Sequence, residues 1–291
     1  MRGKLFFLVS VFLAVVLAGG VSNGALIAYY NFGTGSPSTA NQGTAGSAAD
    51  GVLINGAQIV DIDTTAGGVE WALQLNNMTG SSLADCQYMN ITNGDDNWYD
   101  TAVPGGYSPV TFAAWVRMDT DTTRNWRTIL SKGYETALCL ATGTPVSSGI
   151  DQVSFSYHKR ISALAPLYGT VGTMSDEYWS HVVAVMGEGG GSVCGLYING
   201  VLQESQTTWI SMLTNDLDLL IGAEPNRTDC QYGWNGMLDD VRIYDEFIDA
   251  QGVMDLFNDT YSAARPTIPD PATILLLGLG GLALYGRRRR T

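Results

Sequence analysis

Leu196-Tyr-Ile-Asn-Gly-Val-Leu202 decides the fold class. Asn-Gly between two short apolar arms is the strongest local signal for a two-residue hairpin, because both turn positions must take positive φ. Working outward, apolar or alternating segments recur between clusters of Gly, Asn, Asp and Ser. Strands are expected over Leu26–Phe32, Trp71–Leu75, Tyr88–Ile91, Val110–Met118, Thr128–Ser131, Ala137–Ala141 and Val153–Tyr157. Further strands are expected over Trp179–Met186, Val193–Ile198, Leu217–Ile221 and Gly236–Tyr244. Many short strands at even spacing define an all-β, two-sheet antiparallel sandwich or jelly roll. One short helix is expected near the C-terminus, Asp249–Phe257, where Val253, Leu256 and Phe257 share a side.

Composition agrees with a folded, exported chain. Of 291 residues 45% are hydrophobic and 15% charged, which excludes an intrinsically disordered polymer. There are 28 Asp and Glu against 15 Lys and Arg, a net charge of −13. Six of the basic residues lie at the ends (Arg2, Lys4 and Arg287 to Arg290), so the middle is more acidic still. Such a surface repels polyanions, which excludes nucleic acid as a partner, and suits divalent cations or neutral glycans.

Both ends read as addresses. Residues 1–24 join a basic start, an apolar run from Leu5 to Leu17 and small residues, the pattern of a secretory signal peptide. The span 25–262 is one domain and 263–267 a short linker. In 268–291 the tripeptide Pro269-Asp270-Pro271 precedes an apolar run and four arginines. The apolar core is short for a full membrane span. This tail resembles the PEP-CTERM sorting signal, with Asp where that family usually has Glu. The resemblance implies recognition by an exosortase-like enzyme and display at the cell surface or in the extracellular matrix. It also implies transient or permanent contact with the membrane through the C-terminal apolar helix.

Four pieces of the middle carry a second resemblance. They are Leu26-Ile-Ala-Tyr-Tyr-Asn-Phe32, Thr111-Phe-Ala-Ala-Trp-Val-Arg117, Trp179-Ser-His-Val-Val-Ala-Val185 leading to Leu196–Val201, and Gly236-Met-Leu-Asp-Asp-Val-Arg-Ile-Tyr244. In this order they resemble the LamG-like jelly roll, the concanavalin A-like or laminin G-like domain. The family implies one convex and one concave sheet, with ligands or calcium at one rim. It implies no particular reaction.

The four cysteines, Cys86, Cys139, Cys194 and Cys230, all fall in the exported segment, where disulfides form. Three connectivities are open. Cys86 and Cys230 both stand in Asp-Cys-Gln-Tyr, and Cys139 and Cys194 both stand in apolar strands. Pairing like with like gives Cys86–Cys230 and Cys139–Cys194.

The chain lacks the Glu-x-Asp-x-x-Glu strand that glycosidases of this general fold use for paired acid and nucleophile. His181 reads as structural, and His158 shares no strand face with Tyr157 or Lys159. No catalytic residue is assigned. Calcium is the candidate cofactor, at Asp95 in the oxygen-dense Asn93–Asn97 or at Asp50 meeting Asp239 or Asp240 across the termini. The second set comes from the family resemblance. For ligand contact the candidates are aromatics in segments read as loops: Trp98, Tyr99, Tyr107, Trp126, Trp209, Tyr232 and Trp234. Arg124 and Arg127 flank Trp126 and suit a sugar or acidic glycan. The expectation is therefore a surface-displayed, non-catalytic binding or matrix protein recognising extracellular polysaccharide or a surface protein. The competing reading is a carbohydrate-active enzyme, a glycoside hydrolase or polysaccharide lyase.

Overall fold

A computed structural model describes residues 25–33, 36–62, 70–77, 82–92, 108–119, 126–133, 138–143, 152–157, 167–169, 179–187, 192–208, 215–225, 229–230 and 232–260. In chain order the strands are β1 (Leu26–Tyr30), β2 (Gly51–Ile54), β3 (Gln58–Asp61), β4 (Trp71–Leu75), β5 (Tyr88–Ile91), β6 (Val110–Met118), β7 (Trp126–Ser131) and β8 (Leu138–Gly143). They continue with β9 (Gln152–Tyr157), β10 (Leu167–Gly169), β11 (Ser180–Met186), β12 (Ser192–Ile198), β13 (Val201–Thr208), β14 (Leu219–Ile221) and β15 (Gly236–Tyr244). One helix, α1 (Ala250–Thr260), follows β15.

Two antiparallel sheets form the sandwich. One has the order β13-β12-β11-β6-β15-β4-β3, with β1 also on β15; the other is β10-β9-β8-β7-β14-β5-β2. Phe112, Ala114, Val116, Val182, Ala184 and Met186 face the other sheet's Met89, Ile91, Leu130, Leu219 and Ile221 across the main core. The opposite face of β6 and β11 is also apolar. Ala113, Val183 and Val185 pack under Val253 of α1, and Trp115 and Trp179 pack against Phe257. A strand buried on both faces reads as a continuous apolar run rather than an alternating one, and this is why Val110–Met118 and Ser180–Met186 are so uniformly hydrophobic.

The helix lies on this second face for local reasons. Asp249 Oδ1 accepts the Gly252 N–H at 2.9 Å, a cap on the first turn. Val253, Phe257 and Thr260 follow at helical spacing and supply the inward side. The Trp115 indole N–H donates to Thr260 Oγ1 at 2.7 Å, and the Thr260 hydroxyl donates to the Leu256 carbonyl.

The Asn199-Gly200 turn has φ of 50° and 77°, as a two-residue hairpin of this hand requires. Asn199 Oδ1 accepts the His181 N–H at 2.8 Å, tying the turn to β11. Three strands lie wholly outside the sequence expectations, β2, β3 and β10, and β13 runs on well past the expected Val201-Leu202 arm. β2, β3 and β10 are three or four residues long, and β2 and β3 carry exposed positions, so they are too short and too open to stand out from the turns around them. Trp126, read as a loop residue, begins β7.

β15 is the strand on which the architecture turns. β6 pairs along one side of it; on the other side β4 pairs with Gly236–Leu238 and β1 with Val241–Tyr244. Between these two partners the register slips, and Asp240 takes φ of 46°. This is a β-bulge at the change of neighbour.

Candidate binding rims

The ends of six strands meet at one rim of the sandwich. Asn77, just past β4, is the pin. Its side-chain N–H groups donate to the Gln87 and Trp234 carbonyls, each at 2.8 Å, and its Oδ1 accepts the Gln87 N–H at 2.7 Å. Asn77 N–H donates to Asn235 Oδ1, and Asp119 N–H to the Asn235 carbonyl. Thr128 N–H reaches the Tyr232 carbonyl. The Cys86–Cys230 disulfide closes the same rim, with Cα atoms 5.3 Å apart across a separation of 144 residues. The ends of β4, β6 and β14 and the starts of β5, β7 and β15 are thus locked together. The opposite ends of these strands carry Ile91, Val110, Ser131 and Leu219.

Trp98, Tyr99 and Asp95 lie outside the described residues. Arg124 also lies outside the described residues, as do Tyr107, Trp209 and the side chain of Trp126. Arg127 and Trp234 are at the disulfide rim, and both are corrections to the expectation of exposed contacts. Arg127 is 2% exposed, and its Nη1 donates to the Asp119 carbonyl at 3.3 Å. Trp234 is 0% exposed and packs in the main core. Tyr232 is half-buried. The pairing Cys139–Cys194 falls on a side chain outside the described residues; Cys139 stands opposite Ser131 in β8, and Cys194 is buried from β12 in the other sheet.

β15 departs from the regular alternation of a strand at Asp239. Strict alternation puts Asp239 with Val241 and Ile243. The bulge breaks that alternation: Leu238, Val241 and Ile243 all enter the main core, while Met237 packs with Trp115 on the helix side. Asp239 pairs opposite Trp115 and is fully buried, its Oδ1 accepting the Asp240 N–H at 2.7 Å. Asp240 is buried too. Its Oδ1 accepts the Tyr29 hydroxyl at 2.6 Å and lies 3.6 Å from an Arg242 guanidinium nitrogen. Arg242 lies over the Tyr29 ring, 4.4 Å from its centre.

The titrations follow from this packing. Burial, then the Asp240 charge, push the Tyr29 hydroxyl up to about 12. Burial works against the Arg242 charge, but Asp240, Tyr244 and Tyr29 outweigh it and hold the guanidinium well above its usual range. Burial, then Asp50, also raise the Tyr30 hydroxyl, which donates to the Ala49 carbonyl.

These engagements decide the fit of calcium to the terminal carboxylates. Asp50 is exposed, and its Oδ1 accepts the Asn41 N–H at 2.8 Å. Asp240 is already matched to a phenol and a guanidinium. Among the described residues no group of three or more His, Cys, Asp or Glu side chains could hold a metal ion. Asp50, Asp239 and Asp240 do not fit an ion-binding set.

One polar cluster was not anticipated from the sequence. At the end of β7, Ser131 Oγ donates to Glu224 Oε2 at 3.1 Å, and the Lys132 ammonium donates to Asn215 Oδ1 at 3.1 Å. Ser131, Lys132 and Glu224 are all buried. The residues are 83 and 93 positions apart in pairs, so no local spacing announces them.

This sandwich defines a class. The chain belongs to the concanavalin A-like lectin/glucanases superfamily, whose laminin G family model matches residues 87–254. The PEP-CTERM protein-sorting motif matches residues 267–290 and marks the chain for export and sorting to the cell surface. No curated protein matches the chain. Among solved structures it is similar to domain 4 of AbnA, a GH43 extracellular arabinanase from Geobacillus stearothermophilus, in complex with arabinotriose. Identity there is 18% and the TM-score 0.51, over 80% of this chain and 98% of that one. It is also similar to the binding domain of botulinum neurotoxin DC in complex with SialylT, at 12% identity and TM-score 0.55. That match covers 81% of this chain and 52% of the other. The binding domain of Paraclostridial Mosquitocidal Protein 1 gives 13% identity and TM-score 0.56, with coverage of 81% and 52%. The chain therefore spans about half of each toxin binding domain. No helix among the described residues is long and apolar enough to cross a membrane.

Proposed function

We propose that this is an exported, surface-displayed, non-catalytic protein that binds extracellular glycan or another polymer through its sandwich. The observation that carries the reading is the union, in one chain, of a concanavalin A-like domain and a PEP-CTERM sorting motif. The structural neighbours named as complexes with arabinotriose and SialylT support a sugar as the ligand class. The signal peptide over 1–24, the linker over 263–267 and exosortase-like processing of the tail belong to the same reading. Trp98 and Tyr99 are its aromatic contacts, since flat rings stack on sugar C–H faces. Arg127 and Trp234 have no contact role in it. Calcium, if part of the site, is assigned to the segment with Asp95.

A glycan array on residues 25–265, run beside reducing-sugar and unsaturated-uronate assays, tests the proposal. Saturable binding without product release supports it. Release of reducing ends or unsaturated uronate would replace it with the carbohydrate-active enzyme.

A further inference from the structure

The described chain begins and ends at different levels of the sandwich. β1 starts at Leu26, opposite Tyr244 at the end of β15 that lies away from the disulfide. α1 starts over that same end, where Ile248 N–H donates to Thr111 Oγ1. It then runs toward the disulfide rim: Val253 packs over Ala113 and Val183, Phe257 stacks on Trp115 at 5.7 Å, and Thr260 accepts the Trp115 indole N–H. Trp115 is three residues from the disulfide end of β6 and five from the other, or about 10 Å and about 17 Å at the rise of a strand.

We propose that the disulfide rim is the membrane-side face of the tailed protein, and that the opposite rim is the face displayed outward. The proposal rests on the sorting tail of the proposed function, taken as holding the chain to a membrane before that tail is processed. Nine residue steps separate Thr260 from Pro269, a reach of at most about 30 Å. A tether leaving near the disulfide rim reaches a membrane below that rim directly. To present the opposite rim to the membrane, it would use more than half its length running back along the sheet. Thr260 is buried and hydrogen-bonded, so the tether starts from a fixed point rather than from a frayed helix end. The start of β1 at Leu26 then points away from the membrane, as do Ile91 at the end of β5 and Val110 at the start of β6.

The test uses residues 25–291 in phosphatidylethanolamine–phosphatidylglycerol vesicles carrying nitroxide headgroups. Val201→Cys lies beside the Asn199-Gly200 turn, level with Ala114 midway along β6, and Asp216→Cys lies before β14 at the opposite rim. Each is labelled with a fluorophore without reduction, against the unlabelled parent. Flotation is scored first. A protein that does not float with the vesicles removes the anchor reading and the orientation with it. In floated protein, the expected result is fluorescence loss at Val201 and none beyond background at Asp216. Equal loss, or greater loss at Asp216, overturns the orientation alone. A long Gly-Ser insertion between Thr260 and Pro269 should erase the difference; a difference that survives it overturns the tether as its cause.

Discussion

The Tyr29 hydroxyl donates to Asp240 Oδ1 at 2.6 Å across 211 residues of chain, joining the first strand to the last. Asp240 sits at the bulge where β15 exchanges β4 for β1 as its neighbour. The bond therefore holds β1 at the one place where the ladder is interrupted. Tyr29→Phe should lower unfolding free energy by about 2 kcal/mol, the range for a hydrogen bond to a charged group. Urea denaturation of the two proteins measures it, and equal midpoints with equal slopes would remove the bond from the account.

The same hydroxyl predicts an alkaline limit. Its folded pKa, about 12, lies above the ordinary 10.0, so the fold favours the protonated phenol. That contribution is complete below pH 10 and is lost as pH rises toward 12. Stability should fall over this window, and Tyr29→Phe should fall less steeply than the parent. Parallel curves would mean that other tyrosines, Tyr30 among them, account for the whole effect.

Asp240→Ala should be more harmful than Asp240→Asn. Alanine leaves Arg242 and Tyr29 without their acceptor and must also adopt φ near 46°. Breaking one side of a buried pair costs about 3 kcal/mol or more. Asparagine keeps an acceptor oxygen and tolerates the left-handed region. Thermal melts of the two variants at neutral pH should rank them in that order; a reversed ranking would show that neither the acceptor oxygen nor tolerance of the left-handed φ matters at this position.

Removing the disulfide should loosen the rim it closes. A Cys86→Ser, Cys230→Ser double variant is expected to lose about 2–5 kcal/mol, as for native disulfides generally. Hydrogen exchange should rise first at the amides of Gln87, Asn77 and Asp119, whose bonds span the same strand ends. Unchanged protection there would show that the Asn77 network holds the rim unaided.

Trp234→Ala and Trp98→Ala separate packing from binding. Trp234 fills the core, so its truncation should cost about 3–5 kcal/mol. Trp98→Ala, in the proposed function, lowers glycan affinity and leaves the melting temperature nearly unchanged. Calorimetry and the glycan array read the two quantities independently, and intact binding by Trp98→Ala would remove it from the site.

The sequence by itself determined the class of fold. β4, β5, β6 and β15 begin and end where apolar runs meet turn residues, and Asn199-Gly200 makes the hairpin its chemistry requires. These features are local: strand period, turn φ and capping act within a few residues. The C-terminal tail was legible for the same reason, since a sorting motif is a linear signal.

Only the tertiary structure decided what each side chain faces. Asp239 and Asp240 alternate correctly on paper, yet a change of neighbouring strand inserts a bulge and turns Asp239 toward Trp115. Trp234 and Arg127 lie outside or at the edge of the apolar runs that mark the core, and are buried because six strand ends converge on them. Ser131 meets Glu224, and Lys132 meets Asn215, through distant chain crossings. Burial depends on which segments come together in space, and in a sandwich of non-local pairings that information is spread over the whole chain.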